Sequence, residues 1–162
     1  MVDKNLVGCC GIYCGACFGY RGTISQKATE LREVLNSERF GRRIVTALPW
    51  IGDYSEFSKV LSHLESLKCA GCGAGGGNPW CSIRRCCQKR GFTSCAECSE
   101  FPCKKLDWIT KRYDQWNLRN LERIREVGIE RWLREQEEKV KEGFTTGDVI
   151  KGIKPPKKPP KK

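Results

Sequence analysis

The chain has 162 residues, 30 basic and 19 acidic side chains, one histidine and twelve cysteines. Its length suits one domain, read here as 1–150, followed by a short tail at 151–162 that carries six of the lysines. No apolar run approaches the roughly 20 residues of a membrane span and no export signal precedes Cys9, so the expectation is a cytosolic protein with reduced thiols rather than a membrane or secreted disulfide protein.

The first cysteines, Cys9, Cys10, Cys14 and Cys17, fall within nine residues. Cys10, Cys14 and Cys17 are spaced C-x3-C-x2-C, a spacing that enzymes using S-adenosylmethionine as a radical source also show. Those enzymes need a large α/β barrel, and this chain has no alternating strand and helix pattern. A cysteine-free stretch follows and reads as helical. Ile24, Ala28, Leu31 and Leu35 recur at helical spacing, with Thr23 and Gln26 as a capping box. Phe40, Ile44 and Leu48 form a second short stripe that Pro49 stops. Asp53 with Glu56 caps a third helix, with Phe57, Val60, Leu61, Leu64 and Leu67 as its apolar face.

Residues 68–103 show no periodicity. They hold Cys69, Cys72, Cys81, Cys86, Cys87, Cys95, Cys98 and Cys103, interrupted by a glycine-rich run after Cys72. Glycines beside such cysteines let the backbone turn tightly about an ion. Beyond Cys103 the pattern is helical again. Leu106, Ile109, Tyr113 and Trp116 continue into Leu121, Ile124 and Val127, with a break at Gly128 and a last helix through Trp132, Leu133 and Val140 to Gly143. The aromatics read as core, with base stacking by Trp108 or Trp116 as the alternative. The expected fold is therefore mainly α: a small helical domain, with helices over about 23–67 and 104–142, around an irregular, zinc-knuckle-like cysteine-rich centre organised by metal. The Lys-Pro tail should be disordered and partly polyproline II.

Cysteine pairs in a reducing compartment point to metal more than to disulfides. Twelve of the hydrophobic residues are cysteine, so the oily core is thin. Structural zinc can supply roughly 10–16 kcal/mol of apparent folding free energy in its place. With one histidine in the chain, any ion must be held almost wholly by sulfur, which selects zinc or an iron–sulfur cluster. The expected ligands are Cys10, Cys14, Cys17, Cys69, Cys72, Cys81, Cys86, Cys95, Cys98 and Cys103. Cys9 and Cys87 each adjoin another cysteine and are read as spare thiols. A first grouping puts Cys69, Cys72, Cys95 and Cys98 on one ion. The triad Cys10, Cys14 and Cys17 then recruits Cys81, Cys86 or Cys103, which folds the N-terminal block onto the second. Two or three zinc ions are the leading cofactor reading, an iron–sulfur cluster the alternative.

The stretches Cys10-Gly-Ile-Tyr-Cys14-Gly-Ala-Cys17, Cys69-Ala-Gly-Cys72, Cys81-Ser-Ile-Arg-Arg-Cys86 and Cys95-Ala-Glu-Cys98-Ser-Glu-Phe-Pro-Cys103, with the segment from Asn120 to Leu133, carry a resemblance. Together they resemble the cysteine-rich bacterial and archaeal family catalogued as domain of unknown function 3795, over nearly everything to about residue 142. The resemblance implies metal binding and no assigned activity. Cys9, Cys87 and the tail depart from the family pattern.

No catalytic motif stands out. His63 reads as a surface residue, Gly75-Gly76-Gly77 lacks the Lys-Ser/Thr of a phosphate loop, and no serine sits in a nucleophile elbow. Arg84, Arg85, Lys89 and Arg90, with Lys154, Lys157 and Lys158 of the tail, are candidates for meeting RNA or another polyanion, with a solvated surface as the plain alternative. Three roles stay open: a metal-stabilised binding or regulatory module for a polyanion or protein partner, an iron–sulfur protein in electron transfer or redox chemistry, and a thiol- or metal-handling protein using Cys9 or Cys87.

Overall fold

The computed structural model describes residues 2–37, 43, 47, 48, 50 and 52–150. It is mainly helical, with no strand among the described residues beyond an isolated antiparallel bridge between Val7 and Tyr13. The helices are α1 (Thr23–Ser37), α2 (Tyr54–Glu65), α3 (Ser82–Lys89), α4 (Asp107–Arg112), α5 (Trp116–Val127) and α6 (Ile129–Lys141). Most of the stripe Phe40, Ile44 and Leu48, and the whole Lys-Pro tail with Lys154, Lys157 and Lys158, lie outside the described residues.

Helices α1 and α2 pair as a hairpin with its own small core of Ala28, Leu35 and Leu61, against which Tyr54 packs. Asp53 caps α2 as its sequence implies, its carboxylate accepting from the Ser55 and Glu56 amides at 2.7 and 3.2 Å. The start of α1 differs from the expected capping box. Gly22 supplies the first helical carbonyl, to the Gln26 amide at 2.9 Å, and the Gln26 side chain runs forward to Glu30. Arg32 locks the pair, donating from Nε to both oxygens of Glu65 at 2.7 and 2.8 Å and from its other nitrogens to Ser58 and Ser62. Much of the apolar stripe on these two helices still faces outward: Leu31, Val34, Phe57, Val60, Leu64 and Leu67 are exposed.

The main core lies elsewhere. Trp132, Leu133 and Leu121 are fully buried, joined by Val7, Tyr13, Ile83 and Leu106. Tyr13 meets Trp132 edge-on, with ring centroids 6.0 Å apart at 87°, a favoured aromatic arrangement. Trp116 is buried between Tyr113 and Phe144, so it is core, whereas Trp108 is half exposed.

Two local structures depart from the sequence reading. The supposedly irregular centre contains α3, whose residues Ile83 and Cys87 are one helical turn apart and both buried. Cys81 stands at its N-cap and accepts from the Arg84 amide at 3.5 Å. The expected long helix through Leu106 and Val127 is split in two. Asp114 and Gln115 adopt φ of 47° and 61°, a left-handed turn that costs non-glycine residues energy, and the chain restarts in a new direction at Trp116.

Candidate metal centre

Apart from Cys86 and Cys87 on α3, the cysteines sit on short loops and turns, several of which the helices hold by their backbones. In the first loop Gly8 donates to the Ile12 carbonyl at 2.8 Å, and Gly11 turns the chain at φ 87°. A side chain at Gly11 would collide with the Asn117 carbonyl, so α5 presses directly against this loop. Asn120 donates to the Gly11 carbonyl at 2.8 Å and Asn117 to the Cys10 carbonyl at 3.4 Å. The same helix reaches the last cysteine loop. Arg125 donates to the carbonyls of Ala96 and Cys98 at 2.7 and 2.6 Å, and its guanidinium lies over the Phe101 ring. There Ser94 and Glu97 form a capping box that winds Cys95–Glu97 into one tight turn.

The N-terminal block folds onto the central one, as the sequence reading required. The Gly73 amide donates to the Asn5 carbonyl at 3.0 Å and the Cys95 amide to the Cys9 carbonyl at 2.8 Å. The grouping of thiols differs from the first one drawn. The Cys72 amide donates to Cys14 Sγ at 3.2 Å, and Cys17 and Cys69 both stand against Gly19. Burial pushes the Cys14 thiol up to about 11, and the charges of Cys17 and Cys69 push the same way. Burial also pushes Cys10 up to about 12, and the charge of Cys81 adds to it. Cys10, Cys14, Cys17, Cys69, Cys72 and Cys81 therefore form one neighbourhood. Cys86, Cys95, Cys98 and Cys103 form another, lining a cavity of about 230 Å³ together with Cys87. Cys69 and Cys72 stand beside the N-terminal cysteines. Loop-to-loop contact through Asn5 and Gly73 carries them there.

Cys9 and Cys87, read in the sequence as spare thiols, are buried at 4% and 3% exposure, and Cys87 also lines that cavity. Cys9 accepts from the Cys72 and Cys87 thiols, which holds it below the usual thiol range and raises both donors. Cys87 has one proton and three acceptors within reach: Cys9, Cys95 and the Phe92 carbonyl. A continuous row of sulfur, Cys72, Cys9, Cys87 and Cys95, thus spans the centre.

All twelve cysteines are free thiols. Among the described residues, no three His, Cys, Asp or Glu side chains converge closely enough to hold one ion. The donor chemistry nevertheless fits thiolate ligation. Backbone amides point at Cys14 and Cys81, Arg90 donates to Cys98 Sγ at 3.2 Å, and Lys105 donates to Cys86 Sγ at 3.3 Å. Such donors stabilise sulfur as an anion.

The basic candidates divide. Arg84 is 7% exposed, and its guanidinium binds the Gly76 and Asn78 carbonyls, so it braces the glycine-rich loop and is turned away from any polyanion. Arg85, Lys89 and Arg90 line a surface hollow together with Lys105, which sequence reasoning missed because it lies fifteen residues beyond Arg90. His63 is exposed on α2. No described helix is long and apolar enough to cross a membrane.

Fold and site together define a mainly helical protein built around two neighbourhoods of free cysteine. The chain belongs to the family described as Protein of unknown function (DUF3795), whose model matches residues 6–108. The match ends well short of residue 142, the limit expected from the resemblance, so α5 and α6, which clamp the cysteine loops, lie beyond it. No curated protein and no solved structure matches the chain.

Proposed function

We propose that this protein is a thiolate metal-binding module of a reducing, cytosolic compartment, with zinc the leading metal at the N-terminal neighbourhood of Cys10, Cys14, Cys17, Cys69, Cys72 and Cys81. The observation that carries this reading is the sorting of the ten expected ligands into two separate groups whose sulfurs receive amide and cationic donors. Free thiols packed this closely gain little from one another, because S–H is a weak donor. Replacing their protons by a soft divalent ion satisfies the same sulfurs strongly and releases the protons to solvent.

Metal content of protein prepared under reducing conditions tests this, together with circular dichroism before and after chelation. Stoichiometric metal whose removal loosens the fold supports the reading; a fully folded chain that takes up neither zinc nor iron ends it. A role as partner-binding module has its own support in the hollow of Arg85, Lys89, Arg90 and Lys105, which suits phosphates of RNA or another polyanion. Binding that weakens steeply with salt is the expected behaviour, and no binding at low salt removes this role.

A further inference from the structure

We propose that the second neighbourhood, Cys86, Cys95, Cys98 and Cys103, is built for a four-iron, four-sulfide cluster rather than for a single ion. The inference rests on the metal-binding reading above and gives its two groups different occupants.

The first argument is size. Four thiolates on one zinc stand about 2.3 Å from it, and so within about 4 Å of each other, closed around a point. These four cysteines, with Cys87 beside them, instead line a shared space of about 230 Å³. That is far more room than a lone ion enclosed by four sulfurs takes up. A four-iron, four-sulfide core has eight atoms and spreads its thiolates over four separate irons.

The second argument is the lining. Ile83, Phe92, Phe101 and Leu106 supply apolar walls to the same cavity. Such a wall keeps water from an oxygen-sensitive inorganic core and helps set its potential. The third is charge. Four thiolates on such a cluster leave a net negative group in a mostly apolar space. Arg90 at 3.2 Å from Cys98 Sγ and Lys105 at 3.3 Å from Cys86 Sγ place two cations on the ligands themselves. A four-thiolate zinc site carries the same net −2 as the oxidised cluster, but only the cluster takes up a further electron, so only there do such cations set a potential. The fourth is spacing: Cys95, Cys98 and Cys103 are a dense run on one loop, and Cys86 arrives from the end of α3.

The test is anaerobic reconstitution of the full chain with ferrous iron and sulfide, followed by iron, zinc and acid-labile sulfide analysis and a visible spectrum. About four iron and four sulfide per chain are expected, with brown colour that bleaches on reduction. Cys98→Ser should abolish the colour while Cys69→Ser keeps it. Because either variant could disturb folding, Lys105→Gln supplies an independent arm. It should retain the iron yet shift the cluster's reduction potential downward, since a cation that favours the extra electron is gone. Two zinc ions in a colourless, iron-refusing protein would overturn the cluster while leaving the metal-binding reading intact. Colour that survives Cys98→Ser but not Cys69→Ser would overturn this assignment too. A folded chain that takes neither metal would sink both readings.

Discussion

Asn120 Nδ2 donates to the carbonyl of Gly11 across 2.8 Å of buried space, tying a helix near the end of the chain to the turn between Cys10 and Cys14. With Arg125 on the Ala96 and Cys98 carbonyls, two side chains of α5 set the backbone of both cysteine neighbourhoods. The loops have little regular structure of their own, so their shape is borrowed from this helix.

Asn120→Ala leaves the Gly11 carbonyl unpaired in a buried position. Loss of such a bond costs about 1–3 kcal/mol. The urea midpoint should fall accordingly, and metal retention at the N-terminal neighbourhood should weaken with it. Equal stability and equal metal content in the variant would show that α5 does not govern the loop.

Gly11→Ala and Gly91→Ala separate strain from collision. Both glycines have positive φ, 87° and 73°, so each substitution pays about 1–2 kcal/mol of left-handed strain. A side chain at Gly91 meets nothing within 4 Å, whereas at Gly11 it strikes the Asn117 carbonyl and Leu121. Chemical denaturation should find Gly11→Ala clearly the more destabilised of the two.

Arg32→Ala should act on the α1–α2 hairpin alone. The Arg32–Glu65 pair is about a quarter exposed on each side, which screens it, and the expected loss is about 1–2 kcal/mol. Hydrogen exchange should speed up in Thr23–Ser37 and Tyr54–Glu65 while metal content stays constant, because none of the cysteines lies on either helix.

Metal affinity should rise with pH. Burial raises Cys10 and Cys14 from 9.0 to about 12 and 11, so both are protonated in the metal-free chain near neutrality. Binding must displace those protons, and each one displaced adds about a tenfold gain per pH unit. The linkage sign for the metal-free fold is the reverse. A thiol whose folded pKa is raised stabilises the fold below pH 9 and loses that contribution as pH climbs towards 11–12. Zinc competition titrations at two pH values and metal-free denaturation across the alkaline range check the two halves separately.

The helices were legible where local signals were strong. Asp53 announced α2 because a carboxylate beside free amides is decisive on its own. The left-handed pair Asp114 and Gln115 gave no such sign, since neither residue prefers that conformation and only tertiary packing imposes it. Cys87, read as spare through its adjacency to Cys86, is buried on the helix, and its spacing from Ile83 already marked that buried face. That the N-terminal block folds onto the second was legible, but which loops meet was not. Loops of the same C-x-x-C form are interchangeable in sequence, and it is the Gly73–Asn5 and Cys95–Cys9 backbone bonds that sort them.

The most direct test of the central claim is metal analysis of the full chain, expressed and purified without oxygen, before and after a strong chelator. The account predicts metal bound in stoichiometric amount and, on its removal, loss of the fixed structure of residues 69–103. A chain free of zinc and iron that keeps the same fold and stability would contradict it.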